Sequence, residues 1–219
     1  HWLGEKDLFH EPSVKVPMIV YDPREQADST RGTACDALVE AIDLAPTFVE
    51  AAGGRIADHI LEGRSLSPWL RGETPKWRDF VVSEYDYSVT PMCEKLGVSS
   101  RDARLFMVFD GRYKLIHAEG GFRPLLFDLN NDPDELTDLG DSPEHKGIID
   151  TLYGKLSVWA RRSAQRTTVS DGDILARRNA GGAARKGILL GIVNEEDTAT
   201  EALSRYAGPA HPPPPHPSD

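Results

Sequence analysis

Leu105-Phe106-Met107-Val108-Phe109, Asp110-Gly111, Arg112-Tyr113-Lys114-Leu115-Ile116-His117 is the stretch on which the fold turns. Two runs rich in aromatic and branched apolar residues flank an Asp-Gly pair, which is a strong short-range signal for a β-hairpin with a two-residue turn. Working outward, Phe80-Val81-Val82-Ser83-Glu84-Tyr85 supplies a strand before the hairpin, and Leu125-Leu126-Phe127-Asp128-Leu129 a short strand after it. Residues 144–162 carry Ile148, Leu152, Lys155, Leu156 and Trp159 at helical spacing. Strands followed by one amphipathic helix predict a small antiparallel sheet with the helix packed across one side.

Upstream, Val16-Pro17-Met18-Ile19-Val20-Tyr21 is a continuous apolar run stopped by Asp22-Pro23. Its lack of alternation predicts a central strand buried on both faces. Residues 25–34 are small and polar, hence a loop. Between Cys35 and Ala52, residues Leu38, Ile42, Ala45 and Val49 share one helical face. Pro46 within that pattern marks the first turn of a second helix, with Asp43 or Leu44 near its cap, and Gly53-Gly54 closes it. The division read from these patterns is 1–79, 80–162 and a tail at 163–219. In the tail, Ile188-Leu189-Leu190-Gly191-Ile192-Val193 is an apolar island, and Pro212-Pro213-Pro214-Pro215 predicts an extended, disordered end. Such an island in a tail is expected to dock on the body or on a neighbouring subunit, which makes a homo-oligomer through the tail the expected assembly.

Net charge of −10 across 219 residues argues against nucleic acid as a partner, because phosphate backbones are gripped by clustered Lys and Arg. It leaves a small anionic substrate open, since a pocket can be basic on an acidic body. No apolar run approaches the roughly 18 residues of a membrane span, so no membrane partner is expected. Two cysteines, Cys35 and Cys93, make neither a disulfide framework nor a zinc site, and as reduced thiols they suggest a cytoplasmic setting. The chain begins at His1 rather than Met, so the true amino terminus is expected to lie upstream.

The opening His1-Trp2-Leu3-Gly4-Glu5-Lys6-Asp7-Leu8-Phe9-His10-Glu11 gathers two histidines, a lysine and three acids just ahead of the apolar run. Loops at strand ends are where α/β enzymes place functional groups. A lysine there can hold an anionic ester oxygen and stabilise charge on a leaving group. By composition alone a solvated polar loop competes with an active-site loop.

These residues also resemble a known family. His1-Trp2-Leu3-Gly4-Glu5-Lys6 followed by the Pro-containing apolar run is similar to the segment after the Asp-His metal pair in bacterial sulfatases and phosphonate monoester hydrolases of the alkaline phosphatase superfamily. Asp43-Leu44-Ala45-Pro46-Thr47, Gly63-Arg64-Ser65-Leu66, and the pair Arg112–Ile116 and Leu126–Leu136 resemble three further blocks of that family in order. The resemblance covers about residues 1–160. It implies an α/β fold: the carboxy-terminal part of an alkaline phosphatase-like α/β sandwich plus the small antiparallel sheet with its packed helix. The tail resembles extensions of the phosphonate monoester hydrolase branch.

The resemblance implies that Lys6 is the active-site lysine and that His1 lies at the edge of the site in a supporting role. His117 is a candidate for the substrate pocket. His10 and Glu11 are not expected to bind metal, Asp132-Pro133-Asp134-Glu135 reads as an acidic turn, and Tyr113 and Lys114 as packing and solvated positions. The pairs Arg161-Arg162 and Arg177-Arg178 read as surface or subunit contacts. The family's other parts are not seen in this sequence. Neither cysteine stands in a Cys/Ser-x-Pro-x-Arg segment, since Cys35 precedes Asp36-Ala37-Leu38-Val39 and Cys93 precedes Glu94-Lys95-Leu96-Gly97. The divalent metal ion (Ca, Mn or Mg) and the formylglycine nucleophile are therefore expected outside these residues, with no metal ligand among them. The expectation is a fragment, inactive alone, of a hydrolase of sulfate esters or of phosphonate and phosphate mono- and diesters. The rival reading is a non-catalytic, oligomerising remnant, separated from the first by what lies upstream of His1.

Overall fold

The computed structural model describes residues 8–162, Ser170, Gly172 and the backbone of residues 186–188 and 191–193. The chain forms two compact units, His1–Thr167 and Thr168–Asp219. In the first, a short helix α1 (Glu11–Val14) carries Pro12 in its first turn, where a missing N–H costs nothing. A 3-10 turn over Glu25–Thr30 follows, and a second over Ala41–Asp43 leads into α2 (Leu44–Ala51). Asp43 is the N-cap of α2, and Pro46 sits in its first turn, as the sequence pattern predicts. At its other end, Gly53 adopts φ +74° while its N–H donates to Glu50 O, and the Gly54 N–H donates to Val49 O. These two bonds satisfy the last carbonyls in the Schellman arrangement.

After α3 (Ser67–Leu70) come β1 (Val81–Asp86), α4 (Pro91–Lys95), β2 (Arg104–Phe109), β3 (Tyr113–Ala118), β4 (Leu125–Asp128) and α5 (Lys146–Ala160). The four strands form one antiparallel sheet in sequence order. Both faces are covered. One face presents Val108, Leu115 and Leu126 to Ile149 and Leu152 of α5. The other presents Met107, Ile116 and Phe127 to Phe9, with Val14 packed alongside. Leu115, Leu126 and Leu152 have no solvent exposure, and each such side chain contributes about 1.5–3 kcal/mol by burial. In the second unit, β5 (Lys186–Ile188) and β6 (Gly191–Val193) pair antiparallel, β6 lying inside the apolar island and β5 meeting it at Ile188. The proline run and most of the tail lie outside the described residues. Among the described residues no helix is long and apolar enough to cross a membrane.

Four local expectations are corrected. Val16–Tyr21 forms no strand, and it is not buried: Ile19 is 94% and Tyr21 71% exposed. A strand needs a partner for its backbone N–H and C=O groups, and the described residues offer this run none. Residues 35–40 are not helical; the helix begins only at Leu44. The hairpin pairs Phe109 with Lys114 and the Asp110 N–H with Tyr113 O, so the two central turn residues are Gly111-Arg112, one step later than Asp110-Gly111. Asp110 serves instead as an acceptor, its Oδ1 taking the N–H groups of Arg112 and Tyr113 at 3.0 and 2.8 Å. The buried face of α5 includes Ile149, which the expected set omitted, whereas Lys155 turns out to Asp79 with its ammonium 5.0 Å over the Phe80 ring.

The loop region between α2 and β1 is ordered by one carboxylate. Asp43, with no exposure, accepts the Arg78 guanidinium on both oxygens, the Arg64 N–H at 2.7 Å and the Glu40 N–H at 2.8 Å. Thr47 Oγ1 adds a bond from the Leu66 N–H at 2.8 Å. Burial pushes the Asp43 carboxyl up, but Arg78 and the two N–H donors outweigh it and hold it below the ordinary carboxylate range. A depressed folded value means that this stabilisation is present at neutral pH and is lost as pH falls below about 4 through the lower folded value. Asp43→Asn should therefore destabilise the protein by about 3 kcal/mol at pH 7, with a smaller acid-dependent loss than the parent, read from urea melts across pH 3–7. Gly63 lies so close to Ile42 that an added Cβ would stand 2.0 Å from its carbonyl oxygen. Gly63→Ala should lower the melting temperature by several degrees, about 2 kcal/mol in a urea melt, because backbone must move to admit the methyl.

Candidate functional site

Along β3 the side chains alternate between the two faces of the sheet. Tyr113, Leu115 and His117 face α5, while Lys114 and Ile116 face the segment that begins with Phe9. Lys114 is fully buried, between the cross-strand neighbours Phe109 and Phe127. A lone ammonium there would be prohibitively costly, so its partners decide the local structure. Its Nζ lies 2.7 Å from Glu135 Oε1 and 2.8 Å from Glu11 Oε1. Glu135 also accepts the Glu11 backbone N–H on Oε2 at 2.7 Å.

Glu135 reaches this position from the acidic turn after β4. Its φ is +54°, the left-handed region that non-glycine residues rarely enter. Its own N–H donates to Asp132 O, and the Asp132 carboxylate takes the Thr137 N–H at 2.7 Å. The turn thus aims one carboxylate inward under the sheet. Asp128, at the end of β4, is gripped on both oxygens by Arg112, which pulls its pKa down to about 2. His10 completes the cluster, with Nδ1 3.5 Å from Glu135 Oε2 and its ring edge-on to Phe127 at 5.7 Å. Lys15 stands 3.5 Å from the outer oxygen of Glu11.

Beside this cluster opens a concave surface of about 1230 Å³, lined in part by Glu11, Lys15, Lys114, Met107, Phe109 and Leu129. The exposed run Val16–Tyr21 and residues 34–39 form other parts of its wall. The arrangement gives a segment anchored at Glu11, with an apolar groove beside it.

Of the residues expected to act in chemistry, only His117 lies among the described residues. Lys6 and His1 lie outside the described residues. His117 stands across the sheet from Glu11; its Nδ1 is 3.0 Å from the Tyr153 hydroxyl and its Nε2 3.7 Å from Glu119. His10 and Glu11 are engaged with the buried cluster. Lys114 is corrected from a solvated position to a buried cation, and the acidic turn expected after β4 forms and supplies its counter-ion through Glu135. The signal for this was present: Lys114 shares a face with Phe109, Ile116 and Phe127, an alternation that places it against apolar neighbours. Arg162 lies with Glu62 at 2.9 Å and over the Trp159 ring, a contact within the chain; Arg177-Arg178 lie outside the described residues.

The resemblance implies a divalent metal ion. No three His, Cys, Asp or Glu side chains among them gather to hold a cation. Glu11 and Glu135 already hold one, but it is the Lys114 ammonium. Cys93 is buried with Sγ 3.0 Å from Val98 O, and Cys35 is exposed. The described residues therefore do not fit the ion.

Comparison with known proteins is consistent with this geometry. Residues 1–162 match the family described as N-sulphoglucosamine sulphohydrolase, C-terminal. The multifunctional alkaline phosphatase superfamily protein PehA of Trinickia caryophylli is 29% identical over 171 residues, covering 76% of this chain and 32% of that protein. An arylsulfatase of Clostridium perfringens is 30% identical over 147 residues, covering 67% of this chain and 28% of the relative. The crystal structure of the phosphonate monoester hydrolase of Agrobacterium radiobacter superposes with a TM-score of 0.53 at 26% identity, over 72% of this chain and 29% of that one. The chain thus spans about a third of the length of such relatives. It belongs to the N-sulphoglucosamine sulphohydrolase C-terminal family, and so to the sulfatases of the alkaline phosphatase superfamily.

Proposed function

We propose that this chain is the carboxy-terminal part of a hydrolase that cleaves sulfate esters or phosphonate and phosphate mono- and diesters. The observation that carries the reading is the family match across residues 1–162, which includes the segment bearing His1 and Lys6. Relatives named as an arylsulfatase and a phosphonate monoester hydrolase set the two substrate classes. The exposed apolar run Val16–Tyr21 supports the same view. Its composition is that of a central strand, and it lies exposed at Ile19 and without strand pairing among the described residues, as a run does whose pairing partners lie outside them. On this reading residues 1–79 close the α/β sandwich, residues 80–162 form the appended sheet and helix, and the tail contacts a neighbouring subunit.

In that protein Lys6 holds an anionic oxygen of the substrate by its charge, and His1 borders the site. The ion and the formylglycine would polarise the ester and supply the attacking oxygen from residues beyond those described. Sulfuryl and phosphoryl groups both spread negative charge over several oxygens as the leaving group departs, so a lysine point charge serves either class. Lys6→Ala in the whole protein should lower turnover of 4-nitrophenyl sulfate or of a 4-nitrophenyl phosphonate monoester by about 10²–10³-fold, with the melting temperature unchanged. Turnover equal to that of the parent on both substrates would remove Lys6 from the site. The 219-residue chain alone should turn over neither substrate, and measurable metal-dependent hydrolysis by it would refute that part.

A further inference from the structure

We infer that Glu40 is a proton-operated clasp between the groove wall at residues 34–39 and strand β1, firm when its carboxyl carries a proton and looser when it is ionised. The clasp is built where one guanidinium faces two carboxylates. Arg78 gives Asp43 both of its terminal nitrogens, and Asp43 also collects the N–H groups of Arg64 and Glu40. Glu40 takes what remains. Its side chain has a capping contact from the Asp43 N–H, Arg78 Nε at 3.3 Å and the Val82 N–H at 3.4 Å. The last two are longer than the roughly 2.7–3.2 Å of a well-made bond.

The setting is shielded: the Asp43, Arg78 and Glu40 side chains are 0%, 9% and 23% exposed. One cation there neutralises one carboxylate, and the second stands in surplus. The other cation that acts on Glu40 is Arg64, set over the Trp77 ring at 5.8 Å. Strand β1 brings only Val81, Val82 and Ser83 to this point, none of them ionisable. Burial lifts the Glu40 carboxyl above its ordinary value, and Arg78, the Val82 N–H and Arg64 offset only part of the rise, to which Asp43 adds. A carboxyl raised in this way holds its proton more tightly in the folded chain. Its stabilising contribution is therefore present in mild acid and is lost as pH rises through the folded value. That is the reverse of Asp43, whose contribution is lost as pH falls. Residues 34–40 form neither helix nor strand, and Leu38 is held to the far side by Trp77 Nε1 and Arg78 Nη1 on its carbonyl, at 2.8 and 3.0 Å. Glu40 is the hold on β1 itself, through the Val82 N–H.

The test uses the 219-residue chain and Glu40→Gln, whose neutral amide stands in for the protonated acid and keeps an acceptor for the Val82 N–H. Amide hydrogen exchange at residues 38–41 and at Val82 is corrected for intrinsic rates and referred to the amides of β3. In the parent, protection should be about 3-fold or more lower at about pH 7.5 than at about pH 4.5, whereas the variant should keep the mild-acid level at both. The melting temperature of the variant at the higher pH should exceed the parent's by about 2 °C or more, with the gain gone at the lower. A variant less protected than the parent at the higher pH would show the ionised carboxylate to be the firmer holder and would overturn the clasp. Parental protection that does not change with pH overturns it as well. A carboxyl-carbon NMR titration of the parent decides without any variant: Glu40 should titrate above the exposed Glu25 and Glu144, and titration at or below them refutes the inference.

Discussion

The first compact unit is organised around a lysine that cannot stand alone. With the Lys114 side chain fully buried, several kcal/mol of lost hydration must be met by partners already in place. Glu135 meets it from the acidic turn and Glu11 from the opening segment, so one buried cation ties together three stretches more than 20 residues apart in sequence. The turn accepts a left-handed φ at Glu135 to deliver that carboxylate. Strain of this kind costs on the order of 1–3 kcal/mol and persists only where the surroundings demand it. Glu11 brings a second negative charge, which is tempered by partial exposure and by Lys15 at 3.5 Å.

A sheet covered on both faces explains why its two sides differ in character. The α5 side is a conventional apolar interface, with aromatic and polar groups at its edges: His117 with Tyr153, Phe106 with Trp159, Tyr113 with His145. The opposite side receives the incoming chain and carries the ionic tie. Alternation along β3 keeps the two apart, which is why His117 and Glu11 lie on opposite faces of the sheet. The Asp43–Arg78 cluster plays for the α2 region the part that Lys114 plays for the sheet, fixing irregular backbone through one shielded charge pair.

Much of this was legible in the residues. The hairpin, its flanking strands, α5, the Pro46 start of α2 and its Gly53-Gly54 stop follow from local propensity and periodicity, because their stabilising contacts are close in sequence. The turn register slipped by one because Asp110 acts through its side chain and Gly111 takes the positive φ of +96°, leaving Arg112 as the second central residue. Val16–Tyr21 was misread for the opposite reason: its pattern is sound, but a strand is completed by hydrogen-bond partners that periodicity does not describe. The buried ion pairs were also missed. A lysine on a strand reads as solvated unless its face is compared with cross-strand neighbours, and Glu135 reads as surface acid unless its turn geometry is known. For the catalytic residues, the family resemblance rather than any pattern singled out Lys6, since a polar loop of that composition has no period to read.

The claim that a single buried pair organises this unit is tested most directly by a double-mutant cycle on Lys114→Met and Glu135→Gln, followed by urea denaturation at pH 7. Lys114→Met should cost about 3–5 kcal/mol by stranding the buried Glu135, Glu135→Gln should cost less because Glu11 stays 2.8 Å from the ammonium, and the double should cost at least about 2 kcal/mol less than their sum. Additive losses, or single losses under about 1 kcal/mol, would contradict the account.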